Sequence, residues 1–159
     1  MPVDFRASIT PRRIVRTWPP YMVNKKLEAT LSIGPGETKT VNVIGTGKLI
    51  IAYFYVNSSD EYNNLEPYIA TDEVFALPTS ANFASWYMLY AGDAKSGIYF
   101  GKHDTTNNRY CLVVELPLKF EEKIEIGYKN TYTSTLTADV KALCEVIGTV
   151  QRGVHEITL

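Results

Sequence analysis

His103 and His155 are the only histidines in this 159-residue chain, and Asp104 adjoins the first of them. Metal binding or acid–base work needs a second His, Cys or carboxylate at a ligating spacing, and neither histidine has one. His103-Asp104 therefore reads as an exposed pair in a loop. Gly45-Thr46-Gly47-Lys48-Leu49 has the outline of a phosphate loop. The motif needs a glycine five residues before its final Gly-Lys and a Ser or Thr after it, but Asn42 and Leu49 stand there. Asp60, Glu61, Asn63, Asn64 and Glu66 are oxygen-rich but lack the glycine pattern of a calcium loop, so a solvated turn is expected. Ser58, Ser59, Ser80 and Ser96 sit among turn residues, not in a nucleophile elbow. The expectation is a protein with no catalytic residues, no metal and no cofactor.

The remaining candidates are for binding. Trp86, Tyr87, Tyr90, Tyr99 and Phe100 are clustered in sequence. Burial in a core is the ordinary fate of large aromatics. The alternative is a carbohydrate- or receptor-binding surface, with Trp86, Tyr87, Tyr90 and Tyr99 stacking on a glycan beside loops 57–64 and 103–108.

A second group lies near the N-terminus. Residues 1–26 hold Arg6, Arg12, Arg13, Arg16, Lys25 and Lys26 against Asp4, six cations to one acid. That is a net +5, and the total of −1 leaves −6 for the rest. Pro2, Pro11, Pro19 and Pro20 disfavour helix there. Ile14, Val15, Trp18, Tyr21, Met22 and Val23 are too apolar for a segment held in water. This reads as an extended basic arm that packs on its own domain or on another subunit, with Arg12, Arg13, Arg16, Trp18, Tyr21 and Met22 as subunit-binding residues. Nucleic acid is the weaker partner, because the acidic body repels phosphates. No stretch reaches membrane-spanning length. The opening residues lack the apolar run of a signal peptide, so folding in the cytoplasm with free thiols is expected.

The elements that must position these residues are strands. Leu27, Ala29, Leu31 and Ile33 alternate with polar residues. Gly34-Pro35-Gly36 and Gly45-Thr46-Gly47 are turns that bracket 38–44. Leu49–Val56 is apolar on both alternating faces and reads as a central strand covered on both sides. Residues 57–64 read as a polar loop; the periodicity of 82–91 does not separate strand from short helix, and irregular structure ending in a strand is the expectation. Arg109–Leu116, Lys123–Lys129 and Leu136–Val150 alternate cleanly. Cys111 shares a face with Glu115, while Cys144 lies with Val140, Ala142 and Val146 on the core face, so the two sulfurs point apart. Eight to ten strands with no convincing helix predict an all-β sandwich over 27–150, an arm over 1–26 and a short tail over 151–159.

The run LSIGPGETKTVNVIGTGKLIIAYFYV, followed by LEPYIATDE, resembles the opening strands of β-sandwich proteins from tailed-virus (phage) particles. LPLKFEEKIEIGYKNTYTSTLTADVKALCEVI is similar to their closing half. The resemblance covers roughly residues 31–75 and 115–147 and implies a jelly-roll-like building block of a virion: tail, baseplate or capsid decoration. It implies assembly in the host cytoplasm, with other virion proteins and copies of itself as partners. It brings no catalytic residues. The basic, Pro-rich arm departs from the pattern.

Overall fold

The computed structural model describes residues 13–17, 21–75, 77, 81–90, 97–148 and 154–158. Its strands are β1 (Arg13–Thr17), β2 (Tyr21–Ile33), β3 (Thr38–Ile44), β4 (Gly47–Val56), β5 (Leu65–Thr71), β6 (Val74–Phe75), β7 (Ile98–Asp104), β8 (Arg109–Val114), β9 (Lys119–Phe120), β10 (Lys123–Asn130), β11 (Leu136–Gly148) and β12 (Val154–Thr158). Helices α1 (Ser59–Asn64) and α2 (Phe83–Tyr90) interrupt them. Strands account for 64% of the structure and helices for 11%, so the protein is all-β as the alternation predicts.

Two antiparallel sheets pack face to face. One runs β2-β11-β4-β8-β7, with β9 pairing onto the start of β4. The other runs β3-β10-β5-β6. The first four strands of the chain beyond β1 alternate between the sheets, and β10 and β11 return to lie beside β3 and β2. This is the jelly-roll order, in which a long hairpin is wrapped so that each outgoing strand lies next to its returning partner. The inner faces of both sheets supply one core, with Ile33, Leu49, Phe54, Leu112, Ile124, Ile126, Tyr128 and Val140 fully buried. Each such side chain contributes roughly 1.5–3 kcal/mol when removed from water.

The core also contains two satisfied polar groups. The Tyr128 hydroxyl donates to the Asp139 carbonyl at 2.6 Å. Buried Asn130 donates through Nδ2 to the carbonyls of Ile33 and Ser134, and its Oδ1 accepts the Tyr132 N–H. A bulge where Leu143 faces Ile51 and Cys144 faces Leu49 leaves Ile50 as the extra residue. The inward positions of β4 therefore step from Leu49 to Ala52 before the regular Phe54 and Val56.

Three local expectations are corrected. Residues 57–64 are not all loop: Ser58 caps α1, its Oγ accepting the Glu61 N–H at 3.1 Å, while the Glu61 carboxylate accepts the Asn57 N–H. Residues 83–90 are helix, opened by Asn82, whose Oδ1 accepts the Ser85 N–H. Strand β4 is central in its sheet but not covered on both sides, since Tyr53 and Tyr55 on its outer face stay half-exposed. Tyrosine can bury its ring while its hydroxyl remains in water.

Contacts divide the chain into Val23–Val146, which holds the sandwich, and a second unit made of residues 1–22 and 147–159. In the second unit β1 and β12 pair antiparallel, from Arg13 opposite Thr158 to Thr17 opposite Val154. Residues 21–26, read from the sequence as arm, belong to β2.

Candidate functional site

The outer face of the five-strand path carries an open cleft of about 350 Å³. Its shape follows from strand alternation. Because Phe54 and Val56 turn into the core, Tyr53 and Tyr55 turn out. Opposite them on β8 stand Val113 and Cys111, and beyond those on β7 stand Tyr99 and Lys102. Two short side chains thus run between two rows of long ones, which makes a trough along β8. The β7 register shifts between Phe100 and Lys102, and Gly101 sits in that irregularity. A Cβ at Gly101 would stand 3.1 Å from Val113 Cγ2 and 3.9 Å from Cys111 Sγ, so glycine keeps the trough open. Asn57, Arg109 and Tyr110 complete the lining.

The lining of the cleft is cationic, with Asp104 across from Arg109 in the strand register and within electrostatic reach of Lys102, and with Glu115 accepting the Tyr99 hydroxyl. Lys102 and Arg109 line it and no carboxylate does. The Tyr53 and Tyr55 rings lie 6.1 Å apart at 20°, and the Lys141 ammonium sits over the Tyr55 ring at 5.7 Å. Lys141 also pairs with Glu28 at 3.4 Å, and Asp139 accepts the Thr30 hydroxyl at 2.6 Å, so the acids of the neighbouring strands are already engaged. Burial pushes the Cys111 thiol up to about 11, against a smaller lowering by its hydrogen bond with Tyr55. Desolvation likewise raises Tyr55 and Tyr99. At neutral pH these groups are a thiol and phenols, suited to hydrogen bonding and contact and not to nucleophilic attack.

A second constellation lies on the opposite face of β7. His103 is half-buried at the strand end, which corrects the reading of it as an exposed loop residue. Its Nε2 shares a 2.8 Å hydrogen bond with the Tyr62 hydroxyl on α1, and its ring stacks on Tyr87 of α2 at 3.6 Å and 14°. Tyr110 and Phe100 meet it edge-on. Desolvation holds its pKa below 6.5, so the ring is neutral near pH 7. Asp104 does not orient it. That carboxylate accepts the N–H groups of Thr106 and Asn107 and the Asn107 amide, closing the β7–β8 turn. The cluster ties both helices to the sheet and lacks a carboxylate–imidazole pair. Among the described residues no three His, Cys, Asp or Glu side chains converge as a metal site.

The four aromatic residues predicted to stack on a ligand do not form one platform. Trp86 is fully buried in the core. Tyr87 packs on His103, Tyr99 stands on the outer face of β7, and the side chain of Tyr90 is outside the described residues. Of the predicted subunit-binding residues, Tyr21 and Met22 are 51% and 49% exposed. Arg12 and Trp18 lie outside the described residues, and for Arg13 and Arg16 only the β1 backbone is described.

Sequence reasoning missed Tyr53, Tyr55, Lys102, Arg109 and Cys111 as one surface. The signal available was that Tyr53 and Tyr55 alternate with Phe54 and Val56, which assigns tyrosine to one face of the strand and pure hydrocarbon to the other. No protein-family model matches the chain, and a search of curated proteins finds no sequence that matches it.

Proposed function

We propose that the chain is a non-enzymatic structural subunit of a virus particle, a tail, baseplate or capsid-decoration component. In this reading it is made and assembled in the host cytoplasm, and it binds other virion proteins and copies of itself through its N-terminal arm and sheet edges. The observation that carries the reading is the strand order β2-β11-β4-β8 over β3-β10-β5-β6. Viral capsid domains use this order; lectin domains use it too, so the fold supports the reading by analogy. Two further features favour assembly. The basic segment 1–26 carries +5 on a chain whose remainder carries −6. Edge strands β3 and β6 expose Ile44 (77%) and Val74 (67%), the apolar edge positions that a neighbouring subunit would cover.

Charge attraction is screened beyond about 8 Å at physiological salt, so it steers docking, whereas buried apolar surface holds it at roughly 25 cal/mol per Å². Light scattering on the full chain across concentration, at low and high salt, tests the proposal. Association is expected for the wild type, with Trp18→Ala weakening it at both salts and the Arg12→Ala, Arg13→Ala pair weakening it mainly at low salt. A wild-type chain that stays monomeric at every concentration, and binds no other virion protein, sinks it.

A further inference from the structure

We infer that the cleft along β8 binds an acidic saccharide, with a sugar ring against Tyr53 and Tyr55 and its carboxylate between Lys102 and Arg109. This goes beyond the assembly reading and stands on different residues. Four observations meet in one place. The trough exists because Val113, Cys111 and Gly101 are short where their cross-strand neighbours are long. It is walled by tyrosines, whose rings offer apolar contact and whose hydroxyls remain as polar partners. Asn57 adds an amide that both donates and accepts, at the same end as Arg109. Finally, Lys102 and Arg109 have no carboxylate within ion-pair distance among the described residues, although salt bridges occur elsewhere on the same sheet at Lys48–Glu145 and Lys141–Glu28. Aromatic walls with a few placed polar and cationic groups are the lining of a small-molecule site, and the charge selects an anion.

The remaining occupants fit less well. The N-terminal segment of a second copy carries +5, so Lys102 and Arg109 would repel it. Nucleic acid requires many phosphate contacts along its length. The unit Val23–Val146 has eleven Lys and Arg against fifteen Asp and Glu, a net −4 that opposes a long polyanion but not a compact ligand with a single carboxylate. An acidic peptide would lay several residues along the sheet, whereas the cleft holds about 350 Å³, the small end of the range for compact ligands.

The test follows amide chemical shifts of the full chain during titration with trigalacturonate against its methyl ester, and with sialyllactose against lactose. At least one acid is expected to shift residues of β4, β7 and β8 at millimolar concentration, with its neutral counterpart at least about tenfold weaker, as loss of charged hydrogen bonds requires. Lys102→Met and Arg109→Met should each weaken the acid about tenfold, and Gly101→Leu should abolish binding by filling the trough. Lys129→Met, on the other sheet, should change nothing. Each variant's circular dichroism verifies folding. The inference is overturned if neither acid binds, if acid and neutral forms bind alike, or if the Lys102 and Arg109 variants bind as wild type. It is equally overturned if oligo-dT or an oligoglutamate peptide displaces the acids from the same residues at lower concentration.

Discussion

Cys111 and Cys144 differ in where their sulfurs go but share a raised pKa of about 11, in both cases chiefly through burial. Cys111 lies under the Tyr55 hydroxyl on the outer face, whereas Cys144 is in the core. A thiol reagent at pH 7 should therefore label the native protein slowly, with Cys111 reacting before Cys144, and should titrate two thiols once the chain is denatured. Rapid native labelling of Cys144 would contradict its burial. His103 makes a pH-dependent contribution. Its folded pKa lies below 6.5, so between that value and its folded pKa the unfolded chain binds the extra proton. Stability is then full above about pH 6.5 and falls as the pH drops toward the folded pKa. The expected observation is a urea midpoint that declines over this acid window in the wild type and declines less in His103→Gln. Equal slopes would mean that the stack on Tyr87 and the bond to Tyr62 do not depend on the neutral ring.

Strand pairing is set by positions where a side chain cannot fit. Gly127 of β10 lies against β3 so closely that an added Cβ would collide with the Lys39 carbonyl and stand 2.7 Å from Thr40 Cα. Both contacts are with backbone, so no rotamer change relieves them. Gly127→Ala is expected to force β3 and β10 apart and to lower stability by more than about 1 kcal/mol, the ordinary scale of a point substitution. Unchanged denaturation would show that the two strands can separate freely. Between β5 and β6 the chain turns through Asp72 and Glu73, both at positive φ. The turn persists because the Asp72 carboxylate accepts three N–H groups, from Glu121, Glu122 and Lys123, which also lowers its pKa. As a depressed carboxylate it stabilises the fold above its ordinary value of 3.8, and that support is lost as the pH falls through its lower folded value. Asp72→Asn should lose most of its disadvantage relative to wild type in acid. A constant difference across pH would place the effect elsewhere.

The sandwich is stable through one shared core between two sheets, to which α2 contributes the fully buried Phe83 and Trp86. Far-ultraviolet circular dichroism should accordingly be dominated by strand, with helix below about a fifth against the usual third of mixed proteins. A helix-dominated spectrum would refute the fold. The terminal unit and the cleft use different residues, so assembly and ligand binding should separate experimentally. Trp18→Ala should alter mass without altering the cleft titration, and Lys102→Met should do the reverse.

Strand content, the inward faces of β2, β10 and β11, and the opposite orientations of Cys111 and Cys144 were all legible in the sequence, because period-two alternation states directly which side chains leave water. The two helices were less legible for a physical reason. Each is under three turns long, too short for hydrophobic periodicity to separate helix from strand, and only the caps Ser58 with Glu61 and Asn82 with Ser85 mark their starts. His103 looked like loop because its partners, Tyr62 and Tyr87, lie on elements far away in sequence. The cleft required the most from tertiary structure. Alternation places Tyr53 and Tyr55 on one face, but cross-strand register alone sets Cys111 and Val113 beside them and brings Lys102 to the far wall. The β7–β8 register is that of a local hairpin with a shift at Gly101, but the β4–β8 register pairs residues some sixty positions apart, stabilised by the packed core as a whole, and no local pattern encodes it.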